Sequence, residues 1–195
     1  DQLVRRGQYA DGTPYRLIEP RYRLTALSYG PMAPNTMLSP RLGPQIIGMG
    51  LLEAIPEADL IATAQWQASQ AGSVRGRVNR VWDVDAGAAV VGRFGWKANV
   101  GSVAHQTAGA FRDDIGITSS RMPQESCTAA QPACLAAPRG GATGAPGSAS
   151  DGRPEIDDRT IDKVIHYTRT LAVPAQREAD HPQVLRGARL FEQAG

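Results

Sequence analysis

Residues 92–119 read "GRFGWKANVGSVAHQTAGAFRDDIGITS" and form the most specific stretch of the chain. Its second half predicts a short helix, because several residues recur at spacings of three and four on one face: Val103, Gln106, Thr107, Ala110 and Phe111. Just before it, residues 79–94 read "NRVWDVDAGAAVVGRF", with Asp85-Ala86-Gly87 between two β-branched runs. That pattern predicts a β-hairpin. A hairpin followed by a helix is therefore expected here.

Two more helices are expected upstream of the hairpin. Residues 40–56, "PRLGPQIIGMGLLEAIP", predict a glycine-interrupted, closely packed helix that the last proline ends. Apolar spacing indicates a second helix over about residues 57–66. Nearer the start, the alternation in residues 13–27 predicts two short strands around Pro20, and the three prolines of residues 28–40 predict an extended loop.

Downstream, residues 138–154 are a Gly/Pro/Ser-rich stretch that predicts a flexible insertion. Asp157 can then cap a helix that Pro174 ends, with one apolar face made of Ile161, Val164, Ile165, Thr168 and Leu171. A last helix is expected from Pro182, with Gly195 as its C-terminal stop. The predicted fold is mainly α, with short β-hairpins and long Pro/Gly-rich loops.

Composition excludes two classes of protein. The 195 residues are 42% hydrophobic, which is enough for a core, and their net charge of +2 gives no reason to expect nucleic acid. No run approaches the roughly 18 apolar residues that a membrane span requires.

The sequence begins with Asp1 and shows no signal peptide. Both ends are therefore expected to be those of a fragment or a processed protein.

Cys127 and Cys134 lie in "ESCTAAQPAC", a spacing that matches neither a CxxC redox motif nor a zinc site. Three alternatives follow: a structural disulfide, a redox-active pair, or two free thiols. The structural disulfide is the preferred interpretation, and closing so small a loop would contribute roughly 2.5 kcal/mol. Such a bond favours an oxidising compartment, the periplasm or the cell exterior.

Several motifs in order give the chain a resemblance to a known family. Residues 92–119, taken with three other segments, resemble the bacterial di-haem c-type oxidoreductases, often labelled di-haem peroxidases or thiol oxidoreductases: "SPRLGPQIIGMGLLEAIP" (39–56), "GRVNRVWD" (76–83) and "PQESCTAAQPAC" (123–134). The resemblance covers roughly residues 11–195, and only the Gly/Pro/Ser insertion looks foreign to it. Nothing in these residues supports thiol chemistry in particular.

The resemblance implies haem attachment outside this sequence. In that family a helix like residues 185–195, "LRGARLFEQAG", runs directly into CxxCH, which holds a c-type haem by two thioethers and an axial His. A second CxxCH lies upstream of a segment like residues 11–17. We therefore expect one motif immediately after Gly195 and one before Asp1. Two haem c groups would serve the complete protein, with none covalently bound here.

By the same resemblance, the architecture is that of a cytochrome c-like di-haem peroxidase, present as a fragment. Residues 1–137 would be the inter-haem core segment and residues 138–155 the flexible insertion. Residues 156–178 would be a core helix and linker. Residues 179–195 would be the first helix of a C-terminal cytochrome c domain, cut before its CxxCH.

More distantly, "FGWKANVGSVAHQ" (94–106) resembles the "FWDGRAxSLxxQ" signature of bacterial di-haem cytochrome c peroxidases. The resemblance implies electron transfer by Trp96 and a catalytic role for Gln106. The catalytic carboxylate would be Asp113 or Asp114. A carboxylate can shuttle a proton between peroxide oxygens, and an amide can orient the peroxide. The alternative interpretations are that Trp96 is a core aromatic residue and that Gln106 is a buried hydrogen-bonding residue. Asp113 and Asp114 would then be a helix-end or turn pair.

No metal ligand is expected within the sequence. His105 is the helix neighbour of Gln106 and points about a quarter-turn away, so a ligand role is the less favoured interpretation. His166 and His181 are interpreted as surface or capping residues. Two roles are open to the four methionines, a thioether ligand to iron or packing, and packing is the preferred interpretation: Met32, Met37, Met49 and Met122. Residues 69–79 lack the carboxylates of the family's acidic loop, so no calcium is predicted there.

The leading functional hypothesis is part of a periplasmic di-haem oxidoreductase that transfers electrons and reduces peroxide. This segment alone would be inactive. Its partner would be a redox protein or a small-molecule oxidant. No nucleic-acid partner and no membrane span are expected, and a lipid anchor upstream is compatible with this hypothesis. The alternatives are an electron-carrier cytochrome without a catalytic pocket and a haemless structural or partner-binding domain. A gene ending at Gly195 would favour the haemless domain.

Overall fold

A computed structural model describes residues 2–28, 30–72, 75–138 and 153–194. The predicted helices and short hairpins are present in these residues, but they form a small mixed α/β fold rather than a mainly α one. In chain order the elements are β1 (Gln2–Gln8), β2 (Pro14–Pro20), α1 (Met49–Ala54), α2 (Glu57–Ser69), β3 (Arg80–Asp83), β4 (Ala88–Val91), α3 (Val103–Ile115), α4 (Pro132–Ala136), α5 (Asp158–Thr170) and α6 (Pro182–Ala194).

The described chain forms two compact units. The first unit contains residues 2–43 and 127–138, and the second unit contains residues 44–126 and 153–194. The predicted flexible insertion, residues 138–155, lies mostly outside the described residues.

The first unit is built on an antiparallel hairpin in which β1 and β2 pair along all seven residues of each strand. Gly12 has φ of +84° and donates its N–H to the Tyr9 carbonyl at 2.9 Å, which closes the turn. The strand predicted around Tyr15 is therefore confirmed. The second strand predicted after Pro20 is wrong, because the chain reverses at Gly12 and the pairing partner precedes β2 instead.

The first unit also contains a disulfide between Cys127 and Cys134, whose Cα atoms lie 5.8 Å apart. The five-residue helix α4 begins at Pro132, a residue suited to a first helical turn because it lacks an N–H that would go unpaired. The helix is too short to produce a periodic apolar pattern, so the sequence did not predict it.

In the second unit, β3 and β4 form the predicted hairpin, with Asp83 opposite Ala88 at its closed end. Gly87 has φ of +61° and donates its N–H to the Asp83 carbonyl, so the turn lies at the predicted Asp85-Ala86-Gly87. Helix α3 follows, also as predicted. Ser102 caps it by accepting the N–H of His105, and left-handed Gly116 ends it.

Helix α1 is shorter than the sequence predicted. The expected helix over residues 40–56 begins only at Met49, because Gly48 has φ of +75° and gives its N–H to the Leu171 carbonyl rather than to a preceding turn. Helix α2 begins directly after Pro56 as expected and continues to Ser69, three residues beyond the predicted end.

The core of the second unit lies mainly between α3 and α5. One buried cluster comprises Ala104, Ala108, Met122, Ile161 and Ile165. Two alanines on α3 let α5 approach closely, so Ile161 is fully buried. A second cluster comprises Met49, Phe94 and Val103 and joins α1 to the start of α3.

Glu53 ties three helices together in the same unit. Its carboxylate accepts the Val103 N–H at 2.8 Å and the Arg169 Nε–H at 2.6 Å. Gly50 permits this close approach, because a Cβ there would lie 2.0 Å from the Arg169 carbonyl oxygen. These contacts fix the N-terminus of α3 relative to α1 and α5.

Helix α6 spans Pro182–Ala194, as the sequence predicted. The described residues leave its apolar side chains Leu185, Leu190 and Phe191 exposed. None of the helices in the described parts of the chain is long and apolar enough to cross a membrane.

Candidate functional site

Trp96 lies at the tip of a tight loop that connects β4 to α3. Phe94 and Val100 form a bridge at the base of the loop, and Phe94 is buried in the core. Gly95 and Ala98 adopt positive φ angles of +80° and +46°. The loop therefore turns sharply and leaves the Trp96 side chain 59% exposed, which removes the interpretation of Trp96 as a core aromatic.

Asn79 holds this loop in place from the start of β3. Its side-chain Nδ2 donates to the carbonyl oxygens of Lys97 at 3.3 Å and Ala98 at 3.0 Å. Gly92 allows the approach, because a Cβ there would lie 1.8 Å from the Ala98 oxygen. The backbone around Trp96 is thus fixed by two side-chain hydrogen bonds and a close packing contact.

Helix α3 presents one face to the core and the opposite face to the candidate site. Its buried residues are Val103, Ala104, Thr107 and Ala108. At 100° per residue, Gly109 lies at the centre of the opposite face, flanked by His105 and Gln106. Asp113 lies on this face two turns beyond Gln106.

Gln106 carries a buried oxygen without a partner. In the described chain, the buried side-chain atoms that lack a hydrogen bond are Asp83 Oδ2, His105 Nδ1 and Gln106 Oε1. A buried polar atom left unpaired typically costs about 1–3 kcal/mol. In the described chain, Gln106 Oε1 is therefore an acceptor whose hydrogen-bonding capacity is unused.

Asp83 and His105 form a close pair beneath this face. The two unpaired atoms, Asp83 Oδ2 and His105 Nδ1, lie 3.5 Å apart. The Asp83 side chain is 1% exposed, and the His105 side chain is 15% exposed. The carboxylate is further fixed at Oδ1, which accepts the N–H groups of Asp85 and Ala86 at 3.0 Å each.

The surroundings of Asp83 keep it ionised. Burial alone would raise the pKa of this carboxyl, but the Ala86 N–H, the Ser102 hydroxyl, the Asp85 N–H and the His105 ring outweigh that effect. The pKa of Asp83 therefore lies below its ordinary value. Asp83 also lines a cleft of about 270 Å³, together with other carboxylates, including Glu53, Glu57 and Asp85.

The lowered pKa gives a prediction for acid stability. Because the folded pKa of Asp83 lies below the unfolded value of about 4, its stabilising effect is complete above that pH and is lost as the pH falls through the folded value. As the pH is lowered from 5, the free energy of unfolding measured in urea should therefore fall less for Asp83→Asn than for the wild type. Asp114→Asn, at an exposed carboxylate, is the control. Parallel pH curves for wild type and Asp83→Asn would contradict the assignment.

The two predicted carboxylates have different surroundings. Asp113 accepts two hydrogen bonds from Arg112, at 2.7 and 3.0 Å, and one from the Ser126 hydroxyl at 2.9 Å. The Arg112 hydrogen bond is the main cause that lowers the pKa of Asp113. Asp114 is exposed at the end of α3. Asp113 is thus occupied by structural contacts, and Asp114 lies away from the face that carries Gln106.

Sequence reasoning missed Asp83, Asn79 and Gly109. Asp83 belongs to the "DVDAG" turn, where a carboxylate that accepts backbone N–H groups is a turn signal rather than a site signal. Its closeness to His105 depends on how the hairpin packs against α3. Gly109, a helix-weakening residue in mid-helix, was the one signal that could have marked this face.

Comparison with known proteins identifies the family. A family model described as "Di-haem oxidoreductase, putative peroxidase" matches residues 32–195. The chain belongs to the di-haem oxidoreductase family. The matched segment includes Trp96, Gln106 and the Asp83–His105 pair, so the resemblance inferred from the sequence motifs is confirmed. No curated protein and no solved structure is significantly similar to the chain.

Membership of a di-haem family implies haem, and the residues present can be tested against that group. Among the described residues, no cluster of three or more His, Cys, Asp or Glu side chains could hold a metal ion. Cys127 and Cys134 are bonded to each other and so cannot form thioethers. The two cysteines therefore do not fit a haem attachment site. What this family member does provide is an exposed indole on a fixed loop and a helix face with unpaired polar atoms.

Proposed function

We propose that the chain is part of a periplasmic di-haem c-type oxidoreductase that transfers electrons and reduces peroxide. The observation that carries the proposal is the unpaired, buried Oε1 of Gln106, which lies on the helix face opposite the core of α3. Family membership supports the oxidoreductase class. The haem groups, held outside the described residues, would supply electron storage.

Gln106 would bind and orient the peroxide. Its Oε1 can accept a hydrogen bond from a peroxide O–H, which would satisfy an oxygen that the described residues leave unpaired. Its side-chain NH₂ can donate to the second peroxide oxygen, where negative charge develops as the O–O bond breaks. An amide therefore serves both ends of the substrate without changing its own protonation.

Trp96 would carry electrons along the path within the protein. The exposed indole lies on a loop that Asn79 and the Phe94–Val100 bridge hold in place. A large exposed aromatic residue on a fixed backbone is suited to an interface with another redox group. Asp113 or Asp114 as the catalytic carboxylate stays a prediction, and Asp113 would first have to release Arg112.

A cytochrome c-like architecture and a periplasmic location are part of the same proposal. The disulfide between Cys127 and Cys134 supports an oxidising compartment. The exposed apolar residues of α6 support the assignment of residues 179–195 as the first helix of a further domain. The proposal keeps the other three predicted segments, residues 1–137, 138–155 and 156–178. An electron-transfer partner is expected because an oxidoreductase must exchange electrons with another molecule.

A tryptophan substitution tests the electron path. Trp96→Phe should slow the redistribution of electrons within the intact protein after rapid partial reduction, while its haem content stays unchanged. Phenylalanine keeps most of the packing but is harder to oxidise and lacks the indole N–H. Trp66→Phe on α2, at a side chain that is also exposed, is the matched control. Equal rates in both variants and the wild type would remove Trp96 from the path.

A glycine substitution tests whether a ligand approaches α3. Gly109→Ala should raise the free energy of unfolding by about 1 kcal/mol, because alanine favours a helix interior and the added Cβ would meet only Met122 Cε, at 3.8 Å. The same methyl group should lower peroxide turnover by occupying the face beside Gln106. Gly187→Ala on α6 should stabilise the protein without that loss. An unchanged turnover in Gly109→Ala would argue against a ligand on this face.

A further inference from the structure

We infer that His105 is the acid–base residue of the peroxide site and that Asp83 is the positioning residue that orients it. The inference rests on the proposed peroxide reduction and deepens it, since it assigns the proton-transfer role to a histidine in place of Asp113 or Asp114. It is carried by two of the three unpaired buried atoms of the described chain, which lie 3.5 Å from each other.

Asp83 is held in one position from several sides. Two backbone N–H groups bond its Oδ1, and burial keeps the carboxylate from solvent. Gly101 leaves room for Oδ2, because a Cβ at that residue would lie 3.0 Å from it. The Ser102 hydroxyl also acts on this carboxylate, and the His105 ring lies with Nδ1 3.5 Å from Oδ2, where it can donate an N–H.

That arrangement selects the tautomer of His105. A proton on Nδ1 can be donated to the ionised Asp83, which leaves the Nε2 lone pair available as a proton acceptor. Nδ1 is buried, so the 15% of the side chain that is exposed belongs to its other atoms. The described residues offer Nε2 no hydrogen bond. His105 is also fixed at its backbone, where its N–H donates to Ser102 Oγ at 3.0 Å.

The position of His105 favours it over the two aspartates. It neighbours Gln106 on the non-core side of α3, with Gly109 between them on that face. Asp113 is separated from Gln106 by two helical turns, roughly 10 Å along the axis, and is bonded to Arg112. A peroxide bound by Gln106 is therefore nearer to the imidazole than to either carboxylate.

The proposed step moves one proton. Nε2 accepts the proton of the peroxide O–H and returns it to the other oxygen, which leaves as water when the O–O bond breaks. Two electrons from the redox partner protein reach the remaining oxygen as the O–O bond breaks, and two protons from solvent complete its conversion to a second water, so no bare oxygen atom is released. Asp83 stays ionised throughout and stabilises the imidazolium that forms transiently.

Other charged groups lie near the pair. On α3 they are Arg112 and Asp113, the latter close enough to feel the charge of His105. On the hairpin turn, Asp85 is paired with Arg121 at 2.8 Å. The cleft lined by Asp83 adds Glu53 from α1, Glu57 from α2 and Arg93.

Imidazole ¹⁵N spectroscopy of the intact protein tests the orientation. His105 should show a proton on Nδ1, whereas His181, whose Nδ1 accepts the Gln183 N–H at 3.3 Å, should show it on Nε2. Asp83→Asn should abolish the Nδ1–H preference of His105 and leave His181 unchanged. A proton on Nε2 of His105 in the wild type, or an unaltered tautomer in Asp83→Asn, would overturn the positioning role.

Kinetics of the intact protein test the acid–base role. His105→Asn keeps an N–H donor near Asp83 but removes the base, so peroxide turnover should fall by about 10²–10⁴-fold. The pH dependence that a titrating imidazole gives the rate should disappear with it, whereas the exposed His166→Asn should behave like the wild type. Turnover that His105→Asn leaves intact would overturn the acid–base role alone. Absence of peroxide turnover in the wild type would overturn the proposed function together with it.

Discussion

Gln106→Ala is expected to lower peroxide turnover by about a hundredfold, the loss typical of removing one group that stabilises developing charge. The alanine removes both the acceptor and the donor that orient the peroxide. Stability should change little, because the lost Oε1 has no partner among the described residues and its burial contributes nothing favourable. Steady-state turnover and urea unfolding of the same samples measure the two effects.

Gln193→Ala is the control for this substitution. Gln193 is an exposed glutamine on α6, so its truncation should affect neither turnover nor stability. Transfer of electrons within the protein should also be normal in Gln106→Ala, since the path through Trp96 is untouched. A Gln106→Ala variant with wild-type turnover would remove Gln106 from the site.

Ile161→Ala should reduce the free energy of unfolding by about 3 kcal/mol, the largest stability effect expected for a single residue here. Ile161 lies on α5, is 0% exposed and packs against the alanines of α3. Truncation removes buried apolar surface and leaves a cavity that two helices cannot easily close. Because α3 carries His105 and Gln106, peroxide turnover should also become more sensitive to temperature.

A graded series separates packing from a general loss of structure. Ile161→Val should cost about 1 kcal/mol, and Val173→Ala, at a side chain 54% exposed, should cost less than about 0.5 kcal/mol. Chemical unfolding of the three variants gives the comparison. Equal costs for Ile161→Ala and Val173→Ala would mean that the α3–α5 contact does not stabilise the fold.

Local patterns were sufficient for the elements that depend on neighbouring residues. The hairpin of β3 and β4 was predictable because its turn requires a positive φ and Gly87 supplies it. Helix α3 was predictable from apolar spacing, and α5 also from its Asp157 cap, whose side chain accepts the Thr160 N–H. In each case the decisive contacts lie within a few residues of one another.

Elements fixed by distant contacts were not predictable in this way. Helix α1 begins late because Gly48 bonds the carbonyl of Leu171, which lies on another part of the chain. The Glu53 contacts with Val103 and Arg169 span 50 and 116 residues. No periodicity or turn signal reports such pairs, so the relative placement of α1, α3 and α5 required the structure.

The same distinction applies to the candidate site. Resemblance to the peroxidase signature marked Trp96 and Gln106, because a signature records residues along the chain. It could not mark Asp83, which meets His105 only through packing of the hairpin against α3. Nor could it show that Asp113 is occupied by Arg112 and Ser126. For that reason we propose His105 for the acid–base role in place of the two aspartates.

The most direct test of peroxide reduction is rapid mixing of the reduced intact protein with hydrogen peroxide. The proposed function predicts that peroxide reoxidises the wild type with a stoichiometry of two electrons per peroxide, and that Gln106→Ala does so about a hundredfold more slowly. Reduced wild-type protein that peroxide does not reoxidise, while it still passes electrons to another acceptor, would contradict the proposal and identify an electron carrier instead.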